Sequence, residues 1–258
     1  TENFDFTDIW ESRIEVFTNA VSEATAQKNV NVTNFANMAR KNSQVKGSDI
    51  MVEWLLAGND MCDFYLLMKP RAGKNTTMFF GIAKYINILK ERNQSTKKII
   101  IDFISLWPSA FEGAKKDLAN YFYMEGVTLA GVDTSDDVWQ DKLELLLNDS
   151  EVDAVFRFAS MQSIDMSVAS EYNNDEEREG AEITFESAKC NYFKKNPADL
   201  CVIDESDHGM RTQRSKDALT LFGYARRIWM SGTDLYALRH EVRPGNHFLY
   251  DIFDEIND

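Results

Sequence analysis

Two segments of this 258-residue chain carry residue types able to handle a phosphate. The first is Met68-Lys69-Pro70-Arg71-Ala72-Gly73-Lys74-Asn75-Thr76-Thr77, which follows an apolar run and leads into an amphipathic one. A loop between a strand and a helix N-terminus can surround a phosphate with backbone N–H groups, and the helix dipole favours the negative charge. Gly73 would let the backbone approach closely, and Lys74 would reach the outer phosphates as a point charge. Arg71 and Ala72 complete the loop, with Arg71 placed either on a phosphate or in a salt bridge on the loop's outer side. The usual pattern has Gly or Ala at the first position and Ser or Thr after the lysine. Here those positions hold Met68 and Asn75. Asn75 offers a carbonyl oxygen where a hydroxyl ordinarily meets Mg²⁺, and Thr76 is the other candidate ligand. Taken alone, the segment fits a nucleotide site or an ordinary strand-to-helix turn.

The second segment is the apolar run Leu200-Cys201-Val202-Ile203, which ends in Asp204-Glu205-Ser206-Asp207-His208-Gly209. Carboxylates at the carboxyl end of a buried parallel strand sit where α/β sheets bind ligands. In a nucleotide hydrolase, Asp204 would hold Mg²⁺ through water and Glu205 would polarise the attacking water. A solvated acidic turn is the competing reading, and it accounts poorly for an apolar strand that ends in a run of polar residues. His208 either couples the site to a second ligand or is a polar surface residue beside Gly209.

Such loops need strands to launch them. Short apolar strands are expected at Phe64–Met68, Ile99–Ile104, Val127–Val132, Ala154–Phe158, Leu200–Ile203 and Arg227–Met230. Helices are expected between them, for instance over Thr77–Glu91, Pro108–Tyr123 and Val138–Asn148. Apolar strands separated by helices indicate a parallel sheet covered on both faces. Ahead of them, Trp10, Ile14, Phe17, Val21 and Ala24 recur at helical spacing and predict a packing face, with a second short helix over Thr33–Arg40. Residues 171–182 form an acidic interruption that reads as a surface loop.

A phosphate loop, an Asp-Glu-x-Asp box and the strand end Ser231-Gly232-Thr233 follow one another in that order, each after a strand. This order resembles motifs I, II and III of superfamily 2 helicases, in particular helicase proteins of restriction systems and phages. Other segments share the resemblance. Gln44, thirty residues before Lys74, sits where the family's adenine-reading glutamine falls. Ile99–Pro108, with Ser105 and Trp107 at its end, resembles motif Ia, which touches the nucleic-acid backbone. Trp107 would stack on a base or pack ahead of Pro108. Phe158-Ala159-Ser160-Met161-Gln162-Ser163 resembles the DNA-facing strand end that precedes the acidic box. Asp234 stands where the family's Ser-Gly-Thr segment continues with proline.

The resemblance covers roughly residues 40–258 and implies a RecA-like α/β domain with a central, mostly parallel sheet, residues 44–258, preceded by a helical segment, residues 1–43. It implies Mg-ATP on Gly73-Lys74-Asn75-Thr76 and Asp204-Glu205, with Lys74, Asp204 and Glu205 catalytic. Asp207, His208, Ser231 and Thr233 would link that site to DNA, single- or double-stranded. The activity implied is an ATP-dependent helicase or translocase. Such motors need arginines from a second RecA-like domain. The 25 residues after Thr233 are too few for one, so either the chain is a fragment of a longer protein, the favoured reading, or it works with a partner. A first residue other than Met suggests a processed or trimmed chain. The rival expectations are a degenerate scaffold without ATPase activity, a small phosphoryl-transfer kinase, and a plain interaction module.

Composition limits the classes further. No apolar run approaches the ~20 residues that span a membrane, and a signal peptide is not evident, which suggests a cytoplasmic protein. The net charge of −14 weighs against strong DNA affinity outside a local patch. Cys62, Cys190 and Cys201 are far apart and read as buried thiols.

Overall fold

The computed structural model describes residues 41–57, 62–94, 97–106, 111–120, 122–164, 188–204, 219–220, 222–232 and 242–250. The expected helices before residue 41, the acidic interruption, Trp107, Glu205, Asp207, His208, Thr233 and Asp234 lie outside the described residues. In chain order the elements are α1 (Asn42–Leu56), β1 (Asp63–Met68), α2 (Lys74–Glu91), β2 (Ile99–Ser105), α3 (Glu112–Asn120), β3 (Tyr123–Met124), β4 (Val127–Asp133), α4 (Trp139–Asn148), β5 (Ala154–Ser160), α5 (Met161–Ile164), α6 (Ala188–Lys195), β6 (Leu200–Ile203), β7 (Arg227–Ser231) and β8 (His247–Tyr250).

The strands form one eight-stranded sheet in the order β3-β4-β5-β2-β6-β7-β1-β8. Pairing is parallel except for the short β3–β4 hairpin. The strand interiors are almost continuously apolar because both faces are covered. Alternate side chains go to opposite faces. Phe64, Leu66, Ile101, Phe103, Phe156, Phe158, Val202 and Met230 meet Met51, Phe79, Ile82 and Leu118 from α1, α2 and α3. Tyr65, Leu67, Ile104, Val155, Ile203 and Trp229 meet Trp139, Leu143, Ile164 and Phe193 from α4, α5 and α6. Helices on both faces of a central, mostly parallel sheet make this the α/β architecture expected above. Among the described residues, no helix is long and apolar enough to cross a membrane.

Three expectations need correction. Of the helix drawn over Pro108–Tyr123, the described residues show Glu112–Asn120 as helix, and Tyr123 opens a strand because Gly126, at φ 75°, turns the chain into the β3–β4 hairpin. Cys62 is exposed at the start of β1, whereas Cys190 and Cys201 are buried free thiols. The strands β3 and β8, two and four residues long, were not anticipated.

One polar group interrupts the core. Asp102 on β2 and Arg157 on β5 are fully buried and joined by two hydrogen bonds of 2.6 and 2.9 Å. Tyr224 donates to the same carboxylate at 2.7 Å, and Arg157 also donates to the Asn196 carbonyl at 2.9 Å and lies 4.5 Å from the Phe193 ring centroid. Burial pushes the Asp102 carboxyl up and Arg157 opposes it, while burial pushes the Tyr224 hydroxyl well up. Asp102 lies within the segment resembling motif Ia, yet it faces the core and cannot meet a nucleic acid.

Candidate functional site

The phosphate loop begins where β1 ends. Lys69 N–H donates to the Tyr250 carbonyl at 2.9 Å, and Ala72 N–H closes a turn on the Lys69 carbonyl at 3.2 Å. Arg71 is exposed and holds a left-handed conformation at φ 66°, which costs about 1–2 kcal/mol for a residue with a Cβ. Gly73 follows at φ 92° as the N-cap of α2 and makes no side-chain capping bond. The first N–H groups of a helix have no intrahelical acceptor, so this N-terminus is suited to an anion. Thr77, one turn in, returns its hydroxyl to the Gly73 carbonyl at 3.0 Å and is buried.

Gln44 belongs to this site by contact. From the first turn of α1, its Nε2 donates to the Ala72 carbonyl at 3.3 Å, and its Oε1 accepts from Lys41 N–H at 3.1 Å. A Cβ added to Gly73 would fall 2.2 Å from Gln44 Nε2. Gly73 is therefore required twice, by its φ and by the amide lying over it. Among the described residues, the buried hydroxyl of the neighbouring Ser43 has no hydrogen-bond partner. Ser48, one turn on, ties α1 to α2 by donating to the Gln44 carbonyl at 2.6 Å and to the Thr77 carbonyl at 3.2 Å.

The acidic box meets the loop across the sheet. Asp204 follows β6, and its N–H donates to the Ile104 carbonyl at 2.9 Å. One strand, β7, separates β6 from β1. Lys74 reaches over it, so that Nζ lies 3.5 Å from Asp204 Oδ1, with the two side chains only 15 % and 8 % exposed. Gly232, after β7, lies beneath: a Cβ there would contact the Pro70 ring at 3.4 Å. Asn75 Nδ2 donates to Asp117 Oδ2 on α3 at 3.0 Å, and Thr76 is half-buried beside it.

The other expected residues lie along the same carboxyl edge. Ser105 and Ser160 end β2 and β5 as a register pair, and Ser231 pairs with Leu67 near the end of β1; all three serines are buried. Ser160 is further engaged by Ser163, whose N–H donates to the Ser160 hydroxyl at 3.1 Å. Gln162, on the short turn of α5, is exposed. The edge thus gathers Gln44, Gly73, Lys74, Asp204 and Ser231 around the loop, while Ser160 and Gln162 stand three and more strands from β1. Asp117 is the site residue that sequence reasoning missed, since its only signal is packing across 42 positions.

These residues fit a nucleotide with its cation. Among the described residues, no group of three His, Cys, Asp or Glu side chains could hold a metal. Mg²⁺ in nucleotide sites does not need one, because it takes one or two carboxylates together with phosphate oxygens. Asp204 and the carbonyl oxygen of Asn75 are hard donors of the right kind, and Lys74 supplies a point charge for phosphate.

No family model matches the chain, and no curated protein matches it. Among solved structures, the Sulfolobus solfataricus SWI2/SNF2 ATPase core in complex with dsDNA is similar at a TM-score of 0.46 and 15 % identity, over 81 % of this chain and 34 % of that one. The chain therefore spans about a third of that structure's length. A likeness this distant carries no functional argument.

Proposed function

We propose that this chain is the ATP-binding first motor domain of a superfamily 2 DNA helicase or translocase. The observation that supports the reading is the approach of Lys74 to Asp204 across β7, which brings the two segments within 3.5 Å of each other. Lys74 would leave Asp204 for the outer phosphates, and the N–H groups after Gly73 would take the inner ones. Gln44, already seated on the loop, would extend the site towards the base. Bound Mg²⁺ would neutralise charge on the phosphates, held on the protein side by Asp204 and by Asn75 or Thr76. Glu205, next in the chain, would orient the attacking water. Ser231 and Thr233 would carry the nucleotide state to the edge formed by Ser105, Ser160 and Gln162, where DNA would lie. Arginines from a second RecA-like domain would complete the site for hydrolysis.

Calorimetric titration of residues 1–258 with Mg-ATPγS tests the reading, alongside ATP turnover. The expected result is binding with little turnover. No binding at millimolar nucleotide would contradict it, and robust turnover abolished by Lys74→Ala would contradict the need for a second domain. A scaffold without ATPase activity is the second reading, favoured by Asn75 where a hydroxyl is usual and by Met68 at the loop's first position.

A further inference from the structure

We infer that Asp117 is a positioning residue for the metal-binding end of the nucleotide site, acting through Asn75; the inference rests on the nucleotide reading above. An amide is ambiguous as a cation ligand, because its oxygen attracts the cation and its NH₂ group repels it. Unrestrained, the Asn75 side chain could present either end, and a Ser or Thr hydroxyl has no such difficulty. Asp117 removes the ambiguity. Its ionised carboxylate only accepts hydrogen bonds, so the amide end 3.0 Å from Asp117 Oδ2 must be Nδ2. The carbonyl oxygen of Asn75 is thereby the end turned away from Asp117, and it is this end that a cation at the loop would meet.

The support behind Asp117 is firm enough for this role. Ala114 and Leu118 on α3 are buried in the core between helices and sheet. Lys115 pins the same helix to β4 through Asp133 at 2.5 Å. At Gly131 of β4 a Cβ would fall 2.7 Å from Leu118 Cδ2, so helix and strand are in close contact. A carboxylate on a helix so fixed sets the position of whatever it binds. The departure at Asn75 thus comes with a compensating partner, which an eroded loop does not require.

The test is the Mg²⁺ dependence of mant-ADP binding to the full chain, read by fluorescence from EDTA through a Mg²⁺ series. Asp117→Ala should raise the Mg²⁺ midpoint about tenfold, the usual size of an outer-shell loss, while the affinity in EDTA stays close to wild type. Asp117→Asn can accept the bond but can also donate to the Asn75 oxygen, so it should restore only part of the difference. In an Asn75→Thr background, whose hydroxyl needs no acceptor at position 117, Asp117→Ala should not move the midpoint. An unchanged midpoint in Asp117→Ala overturns the inference, as does an equal shift in the Asn75→Thr background, where only charge or folding would be acting. Failure of the wild-type chain to bind mant-ADP at all overturns the nucleotide reading itself, and the inference falls with it.

Discussion

At the scale of single residues, the Asp102–Arg157 pair shows how buried charge is accommodated in this core. Asp102 and Arg157 share two hydrogen bonds inside the core, and Tyr224 takes part of the remaining carboxylate capacity. Burying the two charges has a large desolvation cost that their attraction roughly offsets, so the pair adds little net stability. Breaking it is another matter. Asp102→Ala leaves a buried guanidinium facing apolar neighbours, and we expect a loss of about 3–5 kcal/mol in urea unfolding. Replacing both residues by Leu should cost less than that single change. If the single change costs under 1 kcal/mol, the pair is not buried as described. Lys74 is less enclosed than Arg157, with its side chain 15 % exposed, and under the proposed reading it would exchange Asp204 for a phosphate.

At the scale of elements, α1, α2 and β8 converge on Gly47. A Cβ there would lie 2.8 Å from the Phe248 ring and 2.9 Å from the Thr77 methyl, both stiff groups. Alanine favours a helix interior over glycine by about 0.5–1 kcal/mol, whereas overpacking a fitted contact costs about 1–3 kcal/mol. Gly47→Ala should therefore lower the melting temperature, and a rise would show that the contact yields easily. This junction also explains what the sequence made legible. The core strands could be placed from apolar runs alone, and Leu200–Ile203 falls where it was expected. Helix α1 could not, because Asn42, Ser43, Gly47 and Ser48 are weak helix formers and its order comes from packing on α2 and β8. The four-residue β8 carries too short an alternation to stand out, and β1 supplies its pairing. The approach of Lys74 to Asp204 joins two segments that the sequence singled out by their position after strands. Asp117 was not legible, because only the packing of α3 against α2 brings it to Asn75.

At the scale of the whole molecule, the net charge of −14 sets the character of any DNA contact. Each phosphate neutralised by a Lys or Arg releases counterions and steepens the salt dependence of binding. An acidic chain with a local contact edge should bind duplex DNA weakly, at about micromolar Kd or above, and should lose what affinity it has as salt rises towards about 0.2 M. Fluorescence anisotropy with a labelled duplex checks this, and nanomolar affinity at about 0.15 M salt would contradict it. The proposed function stands or falls with the phosphate loop and the acidic box forming one nucleotide site. Its most direct test is the Mg-ATPγS titration repeated with Lys74→Ala and Asp204→Ala, each confirmed as folded. Each substitution removes a charged partner worth about 1.5–3 kcal/mol, so both should weaken binding by about tenfold or more. Wild-type affinity in either variant would place the nucleotide elsewhere and contradict the account.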